Sequence, residues 1–312
     1  MDPISFIPLY MERVWGGREL ERVYRRQLPP GGAPIGESWE LVDREKEQSI
    51  VEGGPLAGRT LHQLWSEQRD EIFGSGYGGY PERFPILIKI LDARDDLSIQ
   101  VHPPAAIAPA LGGEPKTEMW YVADCDPGAS LHVGLRRGVD RSRLESSIRD
   151  GSVASCVHRI RPRPGQSIFI PSGRLHAIGA GLLIHEIQQN SDSTFRVFDW
   201  NRPGIDGKPR ELHVEASLAS IDFDDFEPAM SDPSDPVLAD CPHFHVERHD
   251  SLTGERIGNA GCSRFAILSI LTGSLDSPDG RRFKAGDCVL LPRECGQLTA
   301  SQAARVLRIT LP

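Results

Sequence analysis

A glutamine and a histidine stand two residues apart in SIQVHPP (98–104), a stretch that reads as a strand. In a strand, Ser98, Gln100 and His102 share one face and Ile99 and Val101 share the other. The apolar face explains itself as core, whereas the polar face needs partners. Glu118, in KTEMWYV, and His176, closing GQSIFIPSGRLH, sit on or beside other strand-like stretches. Two imidazoles, a carboxylate and an amide oxygen from several strands make a nitrogen/oxygen metal site, which suits zinc and also admits manganese or iron. With one position open or held by water, such a site is catalytic rather than structural. Taken alone, His176 after a turn reads more simply as a satisfied polar side chain. The group carries the reading, not the single residue.

The elements that must position these residues are mostly short strands. ESWELVD (37–43) precedes a helix over RTLHQLWSEQRDEIFG, where Leu61, Leu64, Trp65 and Ile72 recur at helical spacing. FPILIKILDA (84–93) is apolar throughout, as a fully buried strand is. EMWYVAD, ASLHVGL, SCVHRIRP, QSIFIPS and LLIHEIQQ follow, each bounded by turn residues, with a helix at 139–150 ending in a capping glycine. The acidic, proline-rich stretch within 222–242 is unsuited to a central strand and reads as a linker. Strand patterns resume in FHVERHD, FAILSILTGS, CVLLP and AARVLRITLP. The expectation is a mainly β protein with some α, a sandwich or barrel, with a catalytic domain over 1–225, a linker over 226–242 and a C-terminal domain over 243–312. GQSIFIP (165–171) and GDCVLLP (286–292) echo one another, each a glycine, five residues and a proline.

Composition narrows the function classes. The 312 residues are 39% hydrophobic and 25% charged, and the 31 glycines and 25 prolines favour strands and turns over a helical bundle. A net charge of −9 without a Lys/Arg run gives no nucleic-acid footprint, so an anionic substrate would need local cations. No apolar run reaches membrane-span length, and the start MDPISFIPLY lacks a basic-then-apolar signal. The six cysteines are scattered without a C-x-x-C pair, arguing against a thiolate zinc site or a disulfide scaffold. A cytoplasmic, reduced protein is expected, a monomer or weak homo-oligomer without nucleic-acid or membrane partners. HFHVERHD (243–250) offers a true H-x-H, yet the stretch after Pro292 gives Arg293, Glu294 and Cys295 where a barrel partner histidine would stand. It reads as a metal-free strand.

Gly165, Pro171, Gly173 and His176 stand at the spacing of the second signature motif of the cupin superfamily. SIQVHPP, KTEMWYV, PSGRLHAIGAG and EIQQNSDSTFR, with ERVWGG (12–17) and IGESWELVD (35–43), resemble type I mannose-6-phosphate isomerases in their short bacterial form. The likeness runs in order through most of residues 1–220 and is loose beyond. It implies cupin-type β-barrels of the RmlC-like jelly-roll kind, a metal-bearing catalytic one and a smaller C-terminal one without metal. It further implies one zinc per chain on His102, Glu118 and His176, with Gln100 as a candidate fourth ligand. Arg196 falls on the family's catalytic arginine, and Lys116 and Glu186 fall on positions lining its active site. The Q-x-H pair departs from the commoner cupin H-x-H, as that family does, and the helical insertion of longer members is absent.

The implied reaction interconverts mannose 6-phosphate and fructose 6-phosphate through a cis-enediol, with a proton moving between C1 and C2. Glu186 is the first choice for the base; Lys116 could serve instead if burial lowered its pKa. Arg196, always cationic, suits enediolate stabilisation or phosphate contact. Each residue also has a plainer reading: Glu186 as an exposed strand carboxylate, Lys116 as a solvated lysine, Arg196 as a surface ion pair with Asp192 or Asp199. The rival functions are an oxygenase-type cupin enzyme and a non-catalytic sugar-binding cupin. Lys116, Arg196, Arg202 and Lys208 favour a sugar phosphate over the first. Glu186 and Arg196 beside a full ligand set disfavour the second.

Overall fold

The computed structural model describes residues 1–259 and 261–312. They form two compact units, one of residues 10–38 and 90–233, the other of 1–9, 39–89 and 234–312. These units interleave along the chain, whereas the expected catalytic and C-terminal domains are consecutive.

The first unit carries every candidate site residue, on two antiparallel sheets. In the five-stranded sheet the order is Phe195–Phe198, Ile99–Val101, His176–Ile178, Leu131–Leu135 and Val157–Ile160. In the six-stranded sheet it is Leu9–Gly17, Ile35–Leu41, Ile86–Ala93, Leu182–Gln189, Glu118–Cys125 and Ser167–Ile170. Val122, Ile168, Ile170, Leu182 and Ile184 of the larger sheet share one buried cluster with Leu131, Val133 and Ile178 of the smaller. The sheets therefore face each other through alternate residues, as in a cupin-type sandwich.

The opposite face of the five-stranded sheet is apolar for the same reason of period two. Ile99, Val101, Leu175, Ala177, Phe195 and Val197 pack there with Leu144 of helix Arg141–Asp150 and Leu218 of helix Val214–Ser220. The first helix starts where the Asp140 side chain accepts the Arg143 N–H at 2.8 Å. It stops at Gly151, whose φ of 79° lets the chain leave the helix in the left-handed region.

In the second unit an eight-stranded sheet runs from Ile4–Ser5 through Cys288–Leu291, Ala266–Asp276, Gln297–Thr310 and His245–Ser251 to Val237–Asp240. Arg256–Gly258 and Arg282–Lys284 pair onto its long strands. Its core gathers Leu268, Ile270, Leu275, Val289, Leu291, Leu298 and Val306. The edge strand Val237–Asp240 lies inside the stretch read as a linker; Pro236 sits just outside it, where no ladder donor is needed. The helix expected over 59–74 divides into Leu61–Glu67, with a Thr60/Gln63 capping box, and a π-helical turn Arg69–Phe73. The division lets Phe73 meet Trp65 edge to face at 4.9 Å.

The sequence echo is structural. Gly165 (φ 92°) and Gly286 (φ 91°) each take a backbone turn that L side chains avoid, and the four-residue strands Ser167–Ile170 and Cys288–Leu291 follow.

Leu144, fully buried between helix and sheet, is a direct test of the packing behind the site. Leu144→Ala should lower stability by about 2–5 kcal/mol, seen as a fall in the thermal or urea midpoint; an unchanged midpoint would contradict this packing.

Candidate active site

Antiparallel register aligns the site residues before any of them meets a ligand. Arg196 lies opposite Gln100, and Gln100 opposite His176, so the three form a row across the five-stranded sheet. On the facing sheet Glu118 lies opposite Gln188, and Trp120 opposite Glu186. Along each inward face the residues change from polar to apolar: Glu118 then Trp120 and Val122, Glu186 then Ile184 and Leu182, His176 then Ile178. The shared core fills one part of the inter-sheet space and the site fills the adjoining part.

His102, Glu118 and His176 bring one ligand atom each to within 4.8 Å of one another, and among the described residues no other group of three His, Cys, Asp or Glu does so. All three are about 1% exposed or less. His102 Nδ1 donates to the Ser193 carbonyl at 2.8 Å and His176 Nδ1 to the Arg174 carbonyl at 2.8 Å. A carbonyl can only accept, so each Nδ1 carries the hydrogen and each Nε2 presents a lone pair. Those lone pairs stand 3.5 Å and 3.6 Å from the Glu118 oxygens, with no hydrogen between them. His102 Nε2 and both Glu118 oxygens are buried without a hydrogen-bond partner. Lys116 reaches one of these oxygens and the Gln100 amide reaches His176. The space between the converging acceptors holds no donor from the three residues themselves, a costly arrangement that a cation among them relieves. The donor set fits a metal ion, and the carbonyls on each Nδ1 are the outer partners that fix such ligands.

The remaining groups arrange charge around this point. Lys116, buried, places Nζ 3.0 Å from Glu118 Oε2 and 3.9 Å from Glu186 Oε1. Burial would lower its pKa, but the two carboxylates outweigh burial and hold it above the usual lysine range. Burial would raise the Glu118 carboxyl; the Lys116 charge reverses this and holds it well below the usual carboxylate range. His102 is pushed down to about 3 by burial and by the Lys116 charge, and burial lowers His176 as well. Both imidazoles are therefore neutral and available as donors.

Gln100 points its amide nitrogen at His176 Nε2 (3.3 Å) and accepts from the Ser98 hydroxyl at 3.2 Å. Glu186 and Lys116 are each 4% exposed, which rules out the solvated readings of both. Among the described residues the Arg196 guanidinium forms no ion pair, and its Nε is buried without a partner. Asp199 instead holds Arg210 through two 2.6 Å bonds and Arg202 through one of 3.1 Å. Burial, together with the like charge of Arg210, lowers the Arg196 pKa while leaving it a cation.

Backbone groups complete the frame. The Gly173 N–H donates to the His102 carbonyl at 2.8 Å, tying the turn before one imidazole to the strand end bearing the other. Its φ of 95° is the left-handed geometry that makes this reach, and a Cβ there would press to 3.3 Å of the Ser220 carbonyl. The Ser193 and Arg174 carbonyls were invisible to residue-type reasoning, since every residue has a carbonyl. Two of the three histidines of HFHVERHD pair with carboxylates, His245 with Asp240 (3.2 Å) and His249 with Glu247 (3.2 Å).

The fold and the site define a cupin-type β protein with a buried His–Glu–His group able to hold a metal ion. A family model for the catalytic domain of type I phosphomannose isomerase matches residues 5–126. The mannose-6-phosphate isomerase ManA of Bacillus subtilis is 34% identical over 311 residues, 95% of each chain. The mannose-6-phosphate isomerase of Streptococcus mutans is 32% identical over 302 residues, 91% of this chain and 92% of that one. The crystal structure of the mannose 6-phosphate isomerase from B. subtilis matches with a TM-score of 0.87 at 31% identity, over 100% of both chains. The chain belongs to the type I mannose-6-phosphate isomerase family.

Replacing His102 by alanine removes one of the converging lone pairs. Divalent-metal affinity measured by calorimetric titration should fall further than the roughly 10–100-fold that outer-partner changes cost. His245→Ala should leave affinity unaltered; metal loss in that variant would reverse the assignment of the two histidine groups.

Proposed function

We propose that the protein interconverts mannose 6-phosphate and fructose 6-phosphate, with one zinc ion per chain held by His102, Glu118 and His176. The convergence of buried lone pairs at those residues, without a donor among them, carries the proposal. Two neutral imidazoles and one carboxylate suit zinc with an open position. Gln100 would be the residue to offer a fourth ligand atom, Oε1, in place of a water if its amide turned over. The Ser98 hydroxyl, able to accept as well as donate, then bonds the amide nitrogen instead, so the turn costs little. Bound there, the ion supplies Lewis acidity toward the substrate's carbonyl and hydroxyl oxygens.

The chain's own residues do the rest. Glu186 takes the proton from C2 of the open-chain aldose; the C–H pair becomes the C1–C2 double bond, and negative charge moves to the carbonyl oxygen. Glu186 then returns the proton to C1, the C1–C2 double-bond pair forming the new C1–H bond. The O2 hydroxyl gives up its proton, the O1 oxyanion takes one up, and the O2–H pair forms the C2 ketone. Lys116, 3.9 Å from the same carboxylate and held as a cation by Glu118 and Glu186, does not meet the condition for acting as the base and instead adds positive charge beside the shuttle. Arg196, whose guanidinium has no carboxylate to neutralise it, stabilises the developing oxyanion or meets the phosphate. Charge supports an anionic substrate. Glu118 and Glu186 against Lys116 leave the buried group one negative charge, a dication makes it positive by one, and Arg196 adds another.

A sugar phosphate with a C2 hydrogen next to a carbonyl suits this set better than an oxygenase substrate, which needs neither a base nor a phosphate cation. Among the described residues all six cysteines are free thiols, which supports a reducing, cytoplasmic location. Among the described residues no helix is long and apolar enough to cross a membrane.

Purified protein given mannose 6-phosphate should produce fructose 6-phosphate in a coupled assay, lose activity on chelation and regain it with zinc. Full metal occupancy without turnover would refute the isomerase reading. Arg196→Ala should retain its metal and lose roughly 10²–10³ in kcat, and normal kcat in this variant would remove Arg196 from the mechanism.

A further inference from the structure

Trp120 touches both halves of the site without belonging to either. Its indole Nε1 donates to Glu186 Oε2 at 2.9 Å. Its ring meets the His176 imidazole edge to face, with centroids 5.4 Å apart and planes at 79°. The residue is 1% exposed, two positions along the strand from Glu118 and directly opposite Glu186 in the antiparallel register. From this geometry we propose that Trp120 is a positioning residue for proton transfer, locking the Glu186 carboxylate through Oε2 so that Oε1, on the Lys116 side, exchanges the proton.

A glutamate side chain has three rotatable bonds, and a terminal carboxylate torsion is broad and roughly two-fold. A base of this kind needs a fixed orientation, because misplacement on the order of 1 Å can cost about 10²-fold in rate. Trp120 supplies that orientation from a ring that is itself immobile, wedged against His176 and inside the shared core with Ile168, Ile170 and Ile184. An indole N–H is a donor only, so it always faces an oxygen lone pair and never competes for the proton in transit. Lys116 stands 3.9 Å from the carboxylate, and beyond it lie Glu118, His102 and His176. None of them offers a neutral, rigid donor. Tryptophan at this position therefore does more than fill space, which phenylalanine would do equally well.

This inference rests on Glu186 as the base, and the experiment separates the two. In metal-loaded enzyme, Trp120→Phe should keep metal content and KM, lower kcat by roughly 10–100-fold, and raise the isotope effect with mannose 6-phosphate deuterated at C2. The larger isotope effect marks proton abstraction itself as the slowed step, which a loss of general stability would not do. Glu186→Gln, assayed beside it, tests the base: full activity there sinks that reading irrespective of Trp120. If Glu186→Gln is inactive while Trp120→Phe keeps both kcat and the isotope effect of the parent, Trp120 has only a packing role. If the rate lost in Trp120→Phe returns with excess zinc, the residue acts through His176 and the proposal is likewise overturned.

Discussion

A buried carboxylate facing two imidazole lone pairs is the constraint on which the site unit depends. Removing an ionised carboxylate from water costs on the order of several kcal/mol, and Glu118 is fully buried. Lys116 answers part of that cost at 3.0 Å, and its charge also helps keep His102 unprotonated. What Lys116 does not supply is a partner for the Nε2 lone pair of His102, because an ion pair with Glu118 points the ammonium at the carboxylate. The arrangement is balanced only with a further cation, so affinity for a metal follows from how the charges were buried.

Sheet register converts that local requirement into a whole architecture. Cross-strand partners share a face, so Arg196, Gln100 and His176 are fixed as a row by three short strands, and Glu118, Trp120, Glu186 and Gln188 by two longer ones. A slip of one residue in a strand of the five-stranded sheet would turn its polar residues into the apolar layer under the two helices. The dense packing of Ile99, Val101, Leu175 and Ala177 on that layer penalises such a slip. Stability on one face of the sheet thus enforces chemistry on the other.

Rigid backbone contacts then refine what the register roughly places. The Ser193 and Arg174 carbonyls set the tautomers, and the Gly173 N–H joins the two histidine-bearing segments. Arg196 keeps its guanidinium unneutralised because Asp199 is already engaged by Arg202 and Arg210. The nearest carboxylate is satisfied here by other cations, so it does not neutralise Arg196.

Much of this was legible in the residues. Period-two alternation in SIQVHPP, EMWYVAD and LLIHEIQQ placed Gln100, Glu118 and Glu186 on strand faces, and the matched strands confirm it. Helix 139–150 was readable from its glycine stop, and the echo GQSIFIP/GDCVLLP from its turn glycine and proline. Local signals failed where the outcome is settled by distant partners. The break of the 59–74 helix follows aromatic packing around Trp65, and Val237–Asp240 became a strand because His245–Ser251 offered an edge to it. The interleaving of the two units has the same origin, since contacts form between segments far apart in the chain. The sequence by itself determined the residue types, their faces and the family to which they belong, because periodicity and spacing are properties of a single strand. Only the tertiary structure decided that both imidazoles present Nε2, that Lys116 is a buried cation and that Arg196 is unpaired. Each of those depends on which group from another segment arrives within hydrogen-bond distance, and no one-dimensional pattern encodes that.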